Sequence, residues 1–469
     1  MDKSDRTLQS LLADLDESDS VGPRSEPSSF VSVCSVRIDP EVCVGCAACM
    51  RACPMEAIRI GRDGKALIKS SLCIDCGECI RVCAHKAAMV LADPLRAIHV
   101  FKYRIAVPEA SLYGQFAPSV LPNDILGGVL ELGFDEVYEV SLATDLASLM
   151  LKEYVNRYEG PRPLFTSLCP VVVRLIQIRF PELIDRVIPV DSTLELGIRE
   201  LKDRRGRELG ILPEQIGAFY LSGCPSRITN IRRPYAGRRT FLDGAISIGE
   251  IYKDLLFAIK ARQRTSTQRS DLQRSSGLGI LWGTLGGEIE ALGRKNTFAV
   301  SDMKHLLRVL EEIEDQKLRN IEFVECRGCY GGCTGGPLMV DNPYQGRAKI
   351  QMLSRMFAPK SLSDGGWVGQ NFERYKPLLD RRFAPRPAEG LDPDPSKAIR
   401  KLARRANILK NLPGIDCGVC GAPSCKALAD DIVRGEASAV YCLFKLRDSY
   451  SRQKGGPGTR KSKRGGSKQ

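Results

Sequence analysis

Two stretches of this chain are copies of one another, and both are built on cysteine. "CVGCAACMRACPMEAIRI" at 43–60 aligns with "CIDCGECIRVCAHKAAMV" at 73–90, thirty residues later. Each begins C-x2-C-x2-C-x3-C, and "GRDGKALIKS" between them carries Asp63-Gly64, the signal of a tight turn. A pseudo-symmetric βαβ pair is the fold this repeat predicts. The chain has 18 cysteines in 469 residues, well below the ~8–10% that marks a small disulfide scaffold. It is long enough to bury ordinary cores without covalent staples, and its length suggests about three domains. The N-terminal "MDKSDRTLQSLLADLDESDS" lacks the basic start and apolar run of a signal peptide. No apolar stretch is long enough to predict a membrane span. The expected setting is cytoplasmic and reducing, where cysteines serve as metal ligands or catalytic thiols. The three histidines, His85, His99 and His305, form no HxxxH or CxxH pattern. That argues against a Cys/His zinc site or a histidine-based triad.

The spacing points to a particular metal centre. Three closely spaced thiolates cap three irons of a 4Fe–4S cube, while the fourth cysteine of the run completes the neighbouring cube. On this rule Cys43, Cys46, Cys49 and Cys83 hold one cluster, and Cys73, Cys76, Cys79 and Cys53 the other. Zinc uses CxxC pairs, but not two interleaved runs of eight cysteines. The segment resembles the two-cluster bacterial ferredoxins. It departs from them at Ala84, where the second run usually carries proline.

Residues 96–375 alternate apolar strands with amphipathic helices, the α/β signature. Three of the strands run into cysteine: "RPLFTSLCP" into Cys169, "QIGAFYLSGCP" into Cys224, and "NIEFVECRGCYGGC" into Cys329 and Cys333. Ligand sites in such sheets form beyond the carboxyl ends of the strands. Pro170 and Pro225 suit first helical positions, and helix N-termini favour an anionic cluster. The glycines of 328–336 let backbone N–H groups approach sulfur closely.

These motifs resemble the catalytic domain of FeFe hydrogenases. That family carries TSCCP, PCxxKxxE, and CxxxC followed by glycines. Here the three read TSLCP (166–170), CPSRITN (224–230) and CYGGCTGG (329–336). "LWGTLGGEIEAL" (281–292) resembles the family's GATGGVMEAAL, and "LGFDEVYEVSLATDL" (132–146) resembles a further family stretch. The resemblance implies that Cys169, Cys224, Cys329 and Cys333 bind a 4Fe–4S cluster. It also implies that Cys333 bridges to a two-iron subsite carrying CO, cyanide and a dithiolate amine, completing an H-cluster. In that reading Cys333 and Arg227 are the catalytic-site residues. The departures are as informative. The family's proton-carrying cysteine before the first ligand is Leu168, and the lysine that hydrogen-bonds a cyanide is Arg227. The following glutamate is Asn230, and the methionine near the two-iron site is Arg327. Leu151 and Tyr154 stand where the family's proton-path glutamates fall.

A last module spaces Cys417, Cys420, Cys425 and Cys442 as C-x2-C-x4-C-x16-C, with Gly418 and Gly421 beside ligands. It resembles the small four-cysteine domain of Rnf-type redox subunits and of corrinoid-protein gamma subunits. A zinc ribbon is the other reading, which the uneven spacing disfavours. Sixteen cysteines are thus assigned. Cys34 and Cys326 remain and read as small buried hydrophobes. Cys326 lies three residues before a ligand, which leaves an altered cluster linkage open.

The net charge of +13 is no nucleic-acid signature. Seven of those charges lie in the tail after Ser451, and cluster-bound thiolates are counted as neutral. That basic tail reads as a solubilising one. The Gly-x-Gly of "SSGLGILWGTLGG" is too incomplete for a dinucleotide site. "KAIRKLARRANILKN" places Ile399, Leu402, Ala406 and Leu409 on one face, a docking helix rather than a nucleic-acid reader.

The expected fold class is α/β. It comprises a ferredoxin-like domain for two 4Fe–4S clusters, a hydrogenase-like α/β domain whose strands end in cluster-binding loops, and a small helical iron–sulfur domain. The expected divisions are a disordered N-terminus (1–29), the ferredoxin domain (30–95), the hydrogenase-like domain (96–380), a Pro-rich linker (381–396), the four-cysteine domain (397–450) and a disordered tail (451–469). The order resembles sensory and regulatory members of the superfamily. It implies a multi-cluster redox protein that senses hydrogen or redox state with slow or no hydrogen turnover. Expected partners are a redox protein, either a ferredoxin or another iron–sulfur protein, and a signalling protein, with hydrogen as ligand. The competing expectations are a ferredoxin-dependent hydrogenase, making H2 from two protons and two reduced ferredoxins, and an electron-transfer protein with cubane clusters alone.

Overall fold

The computed structural model describes residues 34–190, 192–235, 240–265, 272–357, 383–386 and 390–453. The expected disordered N-terminus lies outside them, as does the tail beyond Gln453. The described residues divide into two compact units. One comprises 34–37, 73–81 and 89–386; the other comprises 38–72, 82–88 and 390–453. This division cuts through the ferredoxin segment, which the sequence presents as one block. Along the chain the cysteine repeat has the expected order: strand, helix, strand (Val36–Ile38, Ala48–Ala52, Ile58–Ile60), then Ala66–Ile68, Glu78–Val82 and Ala88–Val90.

The main sheet of the first unit has four parallel strands. Their order is Gly244–Ser247, Ile216–Ser222, Tyr103–Pro108, Glu136–Val137. Side chains alternate across a strand. Ile105, Val107, Ala218 and Tyr220 enter one apolar cluster, while Ala106, Phe219, Leu221 and Ile246 enter another on the opposite face. Both faces are therefore covered, which is why "YRIAVP" and "IGAFYLS" read as nearly continuous apolar runs. A second set of strands lies in the same unit. Thr297–Ser301 pairs in parallel with Phe323–Arg327, and Phe165–Thr166 with Val187–Ile188. A bridge between Leu164 and Phe323 links the two pairs.

In the second unit, Ile58–Ile60 and Ala66–Ile68 form an antiparallel hairpin. Its turn is the expected one: Gly64 sits at φ +75° and the Asp63 carboxylate accepts the Lys65 N–H at 3.0 Å. Helices Pro395–Asn411 and Cys425–Arg434 enclose a small core of Leu412, Ala422, Leu428 and Ala429.

The boundary between the two compact units falls inside the stretch 381–396, whose described residues are 383–386 and 390–396. Phe383 is buried edge-on against Tyr235, and the Ala384 carbonyl accepts the Gln177 amide at 2.8 Å. Pro395 opens a helix capped by the Asp394 carboxylate, so here proline starts structure instead of interrupting it. In that helix, Ile408 and Leu409 pack on the small core, whereas Ile399 and Leu402 are exposed. Among the described residues no helix is long and apolar enough to cross a membrane.

One buried cation was not visible in the sequence. Lys349, on helix Pro343–Met356, donates to the carbonyls of Phe116, Ala117 and Val120 at 2.9–3.0 Å. Replacing it by the similarly long Met would remove the donor shared by these carbonyls, of which Ala117 keeps the Val120 N–H at 2.9 Å. Lys349→Met is expected to lower stability by about 3 kcal/mol, read as a lower thermal midpoint of the full-length protein. An unchanged midpoint would contradict this role.

Candidate metal centres

In the first unit, three strands deliver four cysteines to one place. Phe165–Thr166, Ile216–Ser222 and Phe323–Arg327 end just before Cys169, Cys224 and Cys329. Cys169 and Cys224 are themselves the caps of helices Pro170–Arg179 and Pro225–Arg232, with the prolines first, as expected. The glycine run answers a steric demand. A Cβ on Gly336 would lie 2.4 Å from the Gly223 carbonyl oxygen, and the Gly223 carbonyl accepts the Leu338 N–H at 3.1 Å. The loop carrying Cys333 can thus lie flat against the loop carrying Cys224. On Gly328 a Cβ would meet Val171 at 2.8 Å, and its N–H points at Cys169 Sγ from 3.5 Å.

Burial dominates the acidity of three of these thiols. It pushes Cys224 and Cys329 well up, and Cys333 up to about 12. Cys224, Cys169 and Cys333 each raise Cys329 further. Thiols held up in this way become thiolates when a metal takes their protons' place. The donor set, with backbone N–H on sulfur, fits a 4Fe–4S cluster.

Charged side chains surround this pocket, and most were not foreseen. Arg327 is fully buried between Glu288 (3.0 Å) and Glu325 (3.1 Å), with Nη1 3.8 Å from Cys333 Sγ. Glu325 also accepts the N–H groups of Gly286, Glu288 and Ile289, the start of helix Gly287–Leu292. Thr166 of the TSLCP motif donates to Glu288 at 2.5 Å. One guanidinium faces two carboxylates, and burial raises the pKa of Glu288. On another side Glu109 accepts the Gly223 N–H at 2.7 Å and the Tyr220 hydroxyl at 3.3 Å. Arg227 donates to the Leu168 carbonyl at 2.5 Å. Both Arg227 and Arg327 lower the pKa of Cys333. Buried Asn230 stands on the same helix as Arg227.

Cys73, Cys76 and Cys79 belong to this unit, and Cys53 to the other. Their loop packs on the pocket's own elements: a Cβ on Gly77 would meet Pro337 at 2.5 Å and Pro225 at 3.2 Å. Asp75 anchors it. Its carboxylate accepts the Val36 N–H (3.1 Å) and the Thr229 hydroxyl (2.9 Å), with Arg174 at 3.8 Å. Arg174 and Thr229 lie on the helices that begin after Cys169 and Cys224. Cys34 is not merely a packing residue. Its sulfur lies within 4.8 Å of both Cys73 Sγ and an Asp75 oxygen. Cys326, by contrast, is an interior strand residue paired in register with Val300.

The second unit holds two further pockets. Cys43, Cys46, Cys49 and Cys83 line one pocket, so a cysteine of the second run joins three of the first. There the Ala66 N–H points at Cys43 Sγ from 3.5 Å. A Cβ on Gly45 would lie 1.9 Å from the Gly64 carbonyl oxygen, a contact only glycine allows. Cys417, Cys420, Cys425 and Cys442 line another, with Gly418 and Gly421 at positive φ. Both cysteine sets fit 4Fe–4S clusters.

Comparison with known proteins agrees with the motifs. Residues 103–305 match the family described as iron only hydrogenase large subunit, C-terminal domain. Residues 35–84 match the 4Fe-4S dicluster domain, and residues 412–444 an Fe-S cluster family. Iron hydrogenase 1 of Clostridium pasteurianum is 25% identical over 357 residues, covering 69% of this chain. The chain spans 59% of that relative's length. Among solved structures, a variant of the FeFe-hydrogenase HydA1 of Chlamydomonas reinhardtii is 14% identical with a TM-score of 0.46, covering 63% of this chain and 96% of that one. A structure of the HydA(deltaEFG) form, described as revealing stepwise H-cluster assembly, is 14% identical with a TM-score of 0.44, covering 62% and 95%.

The cysteine assignments predict iron content. Cys83→Ala is expected to lose about four irons per chain, while Cys326→Ala keeps the full complement. Iron and sulfide analysis of anaerobically purified protein checks this. Full iron in Cys83→Ala would contradict the assignment.

Proposed function

Starting from a chain that carries an iron-only hydrogenase large-subunit domain between a dicluster and a single-cluster iron–sulfur module, we propose that it is a redox protein that senses hydrogen or redox state with slow or no hydrogen turnover. One observation carries this reading. Leu168, at the position of the family's proton-carrying cysteine, packs against the apolar cluster of Leu146, Leu151, Tyr154 and Trp282. Leu151 and Tyr154 are the residues that fall where the family has proton-path glutamates. Oil thus replaces the expected chain of acids, and each lost general acid or base typically lowers rate by ~10²–10⁴.

The cofactor side is not lost in parallel. Cys169, Cys224, Cys329 and Cys333 would hold a 4Fe–4S cluster, with Cys333 as the bridge to a two-iron subsite. That subsite, when bound, supplies the hydrogen-binding metal. Arg227 and Arg327, both acting on Cys333, would supply donors for its anionic ligands. The ferredoxin-type clusters would pass electrons between this centre and a redox partner, in a cytoplasmic setting. A signalling protein would read the result.

The test is a hydrogen-evolution assay on matured protein with reduced ferredoxin as donor. The native protein is expected to turn over slowly or not detectably, and Leu168→Cys to raise the rate by ~10² or more. Fast native turnover would overturn the reading in favour of a ferredoxin-dependent hydrogenase.

A further inference from the structure

The role of the C-terminal four-cysteine module is the open question in this chain, and the second unit shows what it is built against. Each of its four cysteines has an immediate chain neighbour touching the segment that follows Cys49. Next to Cys417, Gly418 is so placed that a Cβ would lie 3.0 Å from Met50 Cε. Beside Cys420, Gly421 accepts the Ile60 N–H through its carbonyl at 2.8 Å, and a Cβ there would lie 2.4 Å from the Ile60 oxygen. Before Cys425, Ser424 donates to the Glu56 carboxylate at 2.9 Å. Before Cys442, Tyr441 stacks under the Arg62 guanidinium at 5.4 Å. Met50 itself follows Cys49 and is fully buried.

A charge clamp closes the contact. Asp431, on helix Cys425–Arg434, is buried and takes Arg59 Nε at 2.5 Å together with the Lys69 ammonium. Lys69 also reaches Glu436 at 2.6 Å. Buried, multiply bonded carboxylates of this kind fix one geometry rather than a loose association. The contact uses main chain, glycines without room for a side chain, and a buried ion pair. It is a built interface, not two modules joined by a tether.

We propose that the C-terminal module is the direct redox neighbour of the first ferredoxin pocket, with Met50, Ile60 and the Arg59–Asp431–Lys69 clamp holding the two cysteine sets as one pair. One electron passes between the pair. An iron in the acceptor set goes from ferric to ferrous as one in the donor set goes the other way, and no bond or proton changes hands. A one-electron carrier outside the chain supplies or removes that electron. The proposal rests on the iron–sulfur reading of Cys43, Cys46, Cys49, Cys83 and of Cys417, Cys420, Cys425, Cys442. It is independent of hydrogen and of any two-iron subsite.

The experiment is electron paramagnetic resonance on the full-length, iron-loaded protein reduced with dithionite, without maturation of a two-iron subsite. Subtracting the Cys420→Ala spectrum isolates the C-terminal signal. That signal is expected to be split or broadened by a neighbouring spin, and to become sharp in Cys46→Ala, which removes the first-pocket cluster. Arg59→Glu is expected to weaken the interaction with iron content unchanged, and the swap Arg59→Glu/Asp431→Arg to restore it. A sharp, isolated C-terminal signal in the native protein would overturn the proposal, as would a broadening that survives Cys46→Ala. If Arg59→Glu fails to load iron, the native and Cys46→Ala spectra still decide. Failure of the underlying iron–sulfur reading looks different: Cys420→Ala would then lose no iron at all.

Discussion

Thiols gathered out of water repel one another as soon as they ionise, and burial alone keeps them protonated. That constraint shapes the pocket of Cys224, Cys329 and Cys333. It accounts for the upward shifts at Cys224, Cys329 and Cys333, and it demands a multivalent cation where they meet. It also accounts for the backbone around them. Sulfur that carries cluster charge is stabilised by N–H groups, and the Gly328 and Ala66 N–H groups point at Cys169 and Cys43. Gly45, Gly328, Gly336 and Gly421 all stand where a Cβ would collide with a neighbouring atom.

Leu168 packs on an apolar cluster, and the same domain buries Arg327, Glu288, Glu325 and Glu109 around its cysteines. Arg327 is enclosed by two carboxylates and reaches the Cys333 sulfur. Such a network holds charge in place; removing one partner of a buried pair typically costs about 3–5 kcal/mol. Asp75 extends the network toward the ferredoxin loop through Arg174 and Thr229, on the helices that start at Cys169 and Cys224.

Much of this was legible because the chemistry is local. Cysteine spacing sets cluster type, so the cavity shared by Cys43, Cys46, Cys49 and Cys83 follows from counting residues. The strand ends at Cys169, Cys224 and Cys329 were marked by apolar runs that stop at proline or glycine. What the sequence hid depends on distant partners. Glu109 meets Gly223 across 114 residues, and Glu325 meets Gly286 across 39. Neither carboxylate has a motif of its own. The repeat suggested a single ferredoxin block, whereas the compact units divide it, because each half buries its surface against a different part of the chain. Pro395, at the end of the proline-rich stretch, stands at the first position of a helix.

The proposed function requires a hydrogen-responsive centre at Cys333. The infrared spectrum of the protein, purified without oxygen and matured with the two-iron cofactor, tests it most directly. The account predicts cyanide and CO bands that shift when hydrogen is admitted. The absence of such bands from protein whose cubane sites are fully loaded would contradict it, and would leave the four cysteines of this pocket holding a cubane alone.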